Sequence, residues 1–98
     1  MEPQADDLVV EHDPTSREFR VDVNGMVGRL VYRRDGDTIS FLHTEVPEEF
    51  EGQGIAGRLA HAGLEFARAE HLKVVPICPF VAAYIRRHPE YQSLVRHR

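Results

Sequence analysis

Two side chains that can move protons or attack a carbonyl carbon, His43 and Cys78, lie at the ends of short apolar segments. His43 alternates with Ile39 and Phe41, which predicts that the three side chains share one face of a strand. Its imidazole, with an ordinary pKa of about 6.5, transfers protons at neutral pH. Glu45 follows on the same face as a second candidate base, and a thiol can act as a nucleophile or a proton donor. The alternative roles are structural: a histidine at the core edge, a solvating glutamate and a small buried cysteine.

Between these residues, Gly52, Gly54 and Gly57 lie at the start of a helical pattern. Glycine lets backbone N–H groups converge on one point without Cβ atoms in the way. The positive N-terminal end of the following helix adds to the attraction for an anion. The segment therefore predicts a ligand that carries phosphate, and the alternative is a tight connection between a strand and a helix.

Alternating apolar residues ahead of these glycines predict an antiparallel meander of short strands. The predicted strands are Leu8–Val10, Glu18–Val23, Val27–Arg34 and Thr38–Val46. Asn24 and Gly25 form a strong hairpin signal, because a type I′ turn needs positive φ at both central residues. Asp35 and Gly36 predict a second tight turn.

After the glycines, the apolar spacing becomes helical from Ile55 to about His71. A short strand at residues 74–77 follows, in which Pro76 favours an edge or splayed position. Pro79 suits the first turn of a second helix. The order β-β-β-β-α-β-α predicts an α+β fold with a mixed sheet, whose last two strands are adjacent and parallel because the crossover is right-handed.

Ninety-eight residues, 42% of them apolar, suffice for one packed domain, which we expect to span residues 1–98 with 1–7 frayed. The net charge of −4 argues against nucleic-acid binding. A single cysteine excludes an internal disulfide and a zinc site built on paired cysteines, and we expect no metal. With no signal peptide and no apolar stretch long enough to span a bilayer, the expected setting is cytoplasmic and away from membranes.

The segment HTEVP at residues 43–47, the glycines and the Pro-x-Cys-Pro segment at 76–79 resemble the GNAT superfamily of acyl-CoA-dependent N-acyltransferases. The resemblance is closest to its minimal N-acetyltransferase-domain family and covers residues 8–94. The superfamily's loop pattern is Gln or Arg, two residues, Gly, one residue, then Gly or Ala. It falls here on Glu51, Gly54 and Ala56, so Glu51 departs from it.

The resemblance implies that coenzyme A is the ligand and acetyl-CoA the acyl donor. The pyrophosphate would lie on the backbone amides of residues 52–57, and the pantetheine arm would lie along residues 44–46, where the last two strands splay apart. The residues assigned to the ligand are Thr44, Glu45, Val46, Gly52, Gln53, Gly54, Ile55, Ala56, Gly57 and Arg58. For Arg58, a solvated surface position is the alternative.

For acyl transfer to an amine, the resemblance makes His43 or Glu45 the base and Cys78 either the acyl carrier or the acid. Tyr84 is an alternative acid, because the superfamily's tyrosine usually lies in that helix. The chain lacks the superfamily's helices between the first two strands, so we expect an open acceptor side that suits an amine on a protein, a polyamine or a small molecule. The alternative to an N-acetyltransferase is a non-catalytic module that binds coenzyme A or acyl-CoA and acts through a partner.

Overall fold

The computed structural model describes residues 8–50, 52 and 54–96; the segment 1–7, Glu51 and Gln53 lie outside the described residues. The described strands form a mixed sheet in the order β1-β2-β3-β4-β5. They are β1 (Glu11–Asp13), β2 (Glu18–Val23), β3 (Met26–Asp35), β4 (Thr38–Glu45) and β5 (Lys73–Pro76). Strands β1 to β4 are antiparallel and β5 is parallel to β4. The predicted fold class is confirmed.

The helices follow the periodicity of the sequence closely. They are α1 (Ile55–Ala69) and α2 (Pro79–Arg87), with short 3-10 helices at Glu48–Phe50 and Pro89–Leu94. Both α-helices pack on one face of the sheet and contact each other. We call this the helix face, and the opposite one the open face.

The first strand lies further along the chain than predicted. Residues 8–10 are outside any strand, and Glu11–Asp13 pair with β2 instead. The ring of His12 stacks on Phe19 at 4.3 Å and is 2.6 Å from the Tyr32 hydroxyl, so a polar segment is held by one aromatic cluster. Leu8 and Val10 pack against the core without joining the ladder. A four-residue turn connects β1 to β2, so the superfamily's helices at this position are missing, as predicted.

Strand β4 carries an extra residue partway along its length. Val31 and Tyr32 are consecutive in β3, yet they pair with His43 and Phe41, so Leu42 has no partner across the ladder. Such a β-bulge reverses the alternation of side chains for the remainder of the strand. Before the bulge the odd-numbered residues of β4 point toward the helix face, and after it the even-numbered residues do.

The prediction that His43 shares a face with Ile39 and Phe41 is wrong for this reason. Ile39 and Phe41 are fully buried on the helix face, whereas the His43 side chain is 54% exposed on the open face. Thr44 takes the position that simple alternation gave to His43, because it pairs with the buried Leu30. The bulge thus decides which residues reach the helices.

Helix α1 approaches the sheet most closely at Gly63. A Cβ atom built there would lie 2.8 Å from Phe41 Cε1 and 3.1 Å from Leu30 Cδ2, and both of those side chains are fully buried. Gly57 lies in the same helix, and its Cβ would meet only Tyr84 Cε2 at 3.8 Å, an ordinary contact. The two glycines therefore differ in whether a methyl group fits.

We expect Gly63→Ala to lower the free energy of unfolding by about 1–3 kcal/mol, because overpacking against Phe41 and Leu30 exceeds the gain in helix propensity. Gly57→Ala, the matched control, should raise it by up to about 1 kcal/mol. Urea unfolding of both variants measures the difference. Equal stabilisation by the two substitutions would contradict the close approach at Gly63.

Candidate functional site

The pairing between β4 and β5 stops before β4 ends. The last residue pair of this ladder is Phe41 with Pro76. The chain then leaves β4, and the Cys78 amide donates to the Phe41 carbonyl at 2.8 Å. Beyond that point β4 continues to Glu45 and, within the described residues, pairs with β3 alone. Proline lacks the N–H needed to extend the ladder, which fits a break at Pro76. The result is an open strand edge between β4 and the start of α2.

A cavity of about 430 Å³, the first cavity, lies at this open edge. It is lined by Thr44, Val46, Gly52, Gly54, Ile55, Ala56, Gly57 and Phe80. All of these except Phe80 are residues that the sequence assigned to a ligand. Of the other assigned residues, Gln53 lies outside the described residues, while Glu45 and Arg58 do not line this cavity. Strand edge, glycine segment and helix start therefore meet around one space.

The start of α1 offers backbone donors toward the glycine segment. Gly54 is the N-cap with φ of 79°, and Gly52 has φ of 86°, values that favour glycine. No side chain caps the helix, and the Arg58 amide donates to the Gly54 carbonyl at 3.0 Å. An α-helix leaves the preceding amides, here those of residues 55–57, without an intrahelical acceptor. Together with the helix dipole, they form a suitable site for an anion.

Cys78 lies behind Thr44 at the N-terminus of α2. Its side chain is 2% exposed, and its Sγ is 3.3 Å from the Thr44 Oγ1. Cys78 is the N-cap of α2, followed by Pro79, and makes no side-chain capping hydrogen bond. Thr44 lines the first cavity and Cys78 does not. The thiol is therefore separated from the cavity by the threonine that it contacts.

His43 and Glu45 lie together on the open face. The His43 Nε2 is 3.3 Å from the Glu45 Oε1, and the Glu45 Oε2 is 3.9 Å from the Arg29 Nε. Polar contacts this exposed add little to the stability of the fold. Because Thr44 stands between them in sequence and faces the other way, the two candidate bases and Cys78 lie on opposite sides of the β4 edge.

A second cavity of about 570 Å³ adjoins the first on the other side of the α1 N-terminus. It is lined by Leu8, Val10, Gly54, Gly57, Arg58, His61, Ala62 and Tyr84. The Tyr84 ring stacks on His88 with centroids 3.9 Å apart. Partial burial, with the charges of Glu90 and Glu65, raises the pKa of Tyr84 above its ordinary value. Tyr84 thus borders this cavity and not the one that Thr44 lines.

His61 contacts a chain of polar groups in which Tyr91 is buried, Glu65 is partly buried and His61 itself is exposed. The Tyr91 hydroxyl donates to the Glu65 Oε2 at 2.6 Å and is 3.1 Å from the His61 Nδ1. A hydroxyl has a single proton, so the His61 Nδ1–H is the donor in the second contact. Burial and the Glu65 carboxylate raise the pKa of Tyr91, which keeps that proton in place. Sequence reasoning overlooked His61, because its partners lie in a distant segment.

Phe80 was also overlooked as a site residue. It is partly exposed and closes one wall of the first cavity. Its position just after the Cys78-Pro79 helix start was the available signal, but an apolar residue there is equally expected in a core.

In the described part of the chain, no helix combines the length and apolar character that a membrane crossing requires. The described residues also contain no cluster of His, Cys, Asp or Glu suited to a metal ion.

Comparison with known proteins agrees with this architecture. The family model for the GCN5-related N-acetyl-transferase matches residues 18–94, and the chain belongs to this family. It is 39% identical to Protein NATD1 of Xenopus tropicalis over 98% of this chain and 90% of the relative. It is 42% identical to Protein NATD1 of Homo sapiens over 89% of this chain and 80% of the relative.

A solved structure shares the fold. The NMR solution structure of a GCN5-like protein from Staphylococcus aureus superposes with a TM-score of 0.72 at 26% sequence identity. The match covers 93% of this chain and 90% of that one. The predicted membership of the GNAT superfamily and the predicted topology are therefore confirmed.

We expect Cys78 to react slowly with iodoacetamide in the folded protein, because Thr44 and the surrounding core cover its thiol. Thr44→Ala should accelerate labelling at least several-fold by opening a path from the first cavity. Ser40→Ala, on the same strand but facing the other side, is the control and should leave the rate unchanged. Intact-mass measurement over time gives the rates. Rapid labelling of the unmodified protein would contradict the burial of Cys78.

Proposed function

We propose that this chain is an acetyl-CoA-dependent N-acetyltransferase that transfers an acetyl group to an amine. The observation that carries the proposal is the first cavity, which joins the open edge of β4 to the glycine segment at the N-terminus of α1. Membership of the GCN5-related family supports an acyl-CoA ligand. The chemistry of the lining residues matches the three parts of that ligand.

The pyrophosphate of coenzyme A would accept hydrogen bonds from the amides of residues 55–57, where the helix dipole also favours negative charge. Arg58, in the first turn of α1, lines the second cavity and would lie near the nucleotide end. The amide-rich pantetheine arm would pair with the open edge of β4, since an unpaired edge presents free N–H and C=O groups. Val46, Ile55 and Phe80 supply apolar walls for its methylene groups.

The proposed reaction places the thioester at the end of the β4 edge, beside Thr44. The amine approaches from the open face, where His43, paired with Glu45, accepts the proton that the nitrogen loses as it attacks the carbonyl carbon. A C–N bond forms and the C–S bond breaks. Direct transfer is favoured over a Cys78 acyl intermediate, because Cys78 is buried and does not line the first cavity. Tyr84, which borders the second cavity, is not favoured as the acid.

The absence of helices between β1 and β2 leaves the open face accessible around His43. No enclosing wall in the described residues selects for the size of the acceptor, so the proposal covers amines on proteins, polyamines and small molecules. Binding of acetyl-CoA without turnover would instead indicate the alternative function, a module that holds acyl-CoA for a partner. The two experiments below separate these functions.

Coenzyme A should raise the melting temperature, with about 2.7 kcal/mol of added stability at 100 times its Kd. Gly57→Asp should abolish this shift, because it places a carboxylate where the phosphates bind. The same variant should raise the stability of the free protein by about 0.3–1 kcal/mol through the helix dipole. Gly57→Asn, equal in size but neutral, is the control and should keep much of the shift. No shift in the unmodified protein at millimolar coenzyme A would refute the phosphate site.

His43→Ala should lower kcat by roughly 10²–10⁴-fold, with the KM for acetyl-CoA nearly unchanged. Steady-state assays against a panel of primary amines measure this. The thermal shift with coenzyme A is the control for an intact ligand site. A normal thermal shift together with no turnover by the unmodified protein would reject the enzyme in favour of the binding module.

A further inference from the structure

Among the described residues that line the first cavity, Thr44 is the one whose side chain carries a polar atom. The other lining residues are glycines or have purely hydrocarbon side chains. A polar group with such surroundings has few competitors for a ligand's hydrogen bonds, and apolar walls strengthen the bonds it makes. Its position therefore indicates a specific contact with the ligand.

We propose that Thr44 is a catalytic residue that donates a hydrogen bond to the sulfur atom of the thioester as the C–S bond breaks. Cys78 is then a positioning residue that acts through Thr44. This inference rests on the proposed function. It gives Thr44 a part in the departure of the thiolate, a step for which sequence reasoning named Cys78 or Tyr84 as the acid.

The geometry supports this division of roles. The bulge at Leu42 turns Thr44 toward the first cavity, at the point where β4 loses its β5 partner. The Thr44 Oγ1 is 3.3 Å from the Cys78 Sγ. A hydroxyl has one proton and two lone pairs. When the thiol donates to the Oγ1, the hydroxyl proton is free to point into the cavity, so Cys78 orients the donor without touching the substrate.

The chemical step balances without a further reactant. The amine nitrogen forms the C–N bond, and the sulfur leaves with the electron pair of the broken C–S bond. The nitrogen gives its proton to His43, which releases it to solvent, and the thiolate of coenzyme A takes up one proton from solvent, so that no net proton is gained or lost. Thr44 keeps its own proton throughout, because its hydrogen bond stabilises the negative charge that develops on sulfur.

The thiol of bound coenzyme A provides a test that needs no amine. Its pKa is measured from the ultraviolet absorbance of the thiolate, as the difference between complexes with coenzyme A and desulfo-coenzyme A, which cancels the signal of Cys78. Thr44→Val keeps the shape of the side chain and removes the hydroxyl, so the pKa of the bound thiol should rise by about one unit. Thr44→Ser keeps the hydroxyl and should restore the lower value.

Turnover of acetyl-CoA with the best amine of the panel gives the second readout. Thr44→Val should lower kcat by roughly 10²-fold with KM unchanged, because the bond matters only as charge develops. Thr44→Ser should recover most of this loss, and Cys78→Ala should show a smaller loss than Thr44→Val. A packing role would not produce this split between kcat and KM.

Three results would overturn the inference. The first is a Thr44→Val variant whose bound-thiol pKa and kcat equal those of the unmodified protein. This result would remove the role of the hydroxyl and leave the proposed coenzyme A site standing. The second is an acetyl group on Cys78 by intact mass together with complete inactivation of Cys78→Ala, which would make the cysteine the acyl carrier. The third is failure of the unmodified protein to bind coenzyme A, which would remove the proposed function as well. If Thr44→Val does not fold, comparison of Thr44→Ala with Thr44→Ser retains the test, because these two variants differ only in the hydroxyl.

Discussion

The extra residue in β4 is the constraint on which the arrangement of the candidate site depends. Without the bulge at Leu42, strict alternation would bury His43 beside Phe41 and expose Thr44 on the open face. With it, Thr44 contacts Cys78 under the helices, and His43 reaches solvent beside Glu45. One inserted residue therefore exchanges an imidazole for a hydroxyl on the cavity side, and exposes His43, the proposed proton acceptor, on the open face.

The open edge of β4 has an equally local cause. Strand β5 is short and its last residue is Pro76, after which the Cys78 amide donates to the Phe41 carbonyl of β4. The sheet consequently stops pairing just where α2 begins, and α2 holds the two sides apart with Phe80 at the cavity wall. Gly52 and Gly54 then line the far end of the first cavity. The cavity is thus produced by the way in which the sheet ends, and it needs no inserted domain or lid.

Periodicity was sufficient to predict most of the fold, and local chemistry was sufficient for part of the site. The glycines before Ile55 and the hairpin at residues 24–25 require backbone conformations that few other residues adopt, so their roles follow from the sequence. The position of the bulge does not follow from the sequence, because neither Leu42 nor its neighbours are glycines or turn residues that would mark it. Strand β1 was misplaced because its pairing depends on the aromatic contacts of His12 with distant residues. Contacts between distant segments, such as Thr44 with Cys78, need the tertiary structure.

The position of Thr44 and His43 on two sides of one strand edge also bears on whether transfer is direct or passes through Cys78. In the proposed reaction, a thioester bound along the edge would meet Thr44 on the helix face, and its carbonyl carbon would be accessible from the open face, beside His43. The proton acceptor and the group that stabilises the departing sulfur would then be two different residues on the two sides of the edge. A cysteine carrier would require the thiol to move past Thr44, against the packing that leaves Cys78 2% exposed. Direct transfer requires no such movement.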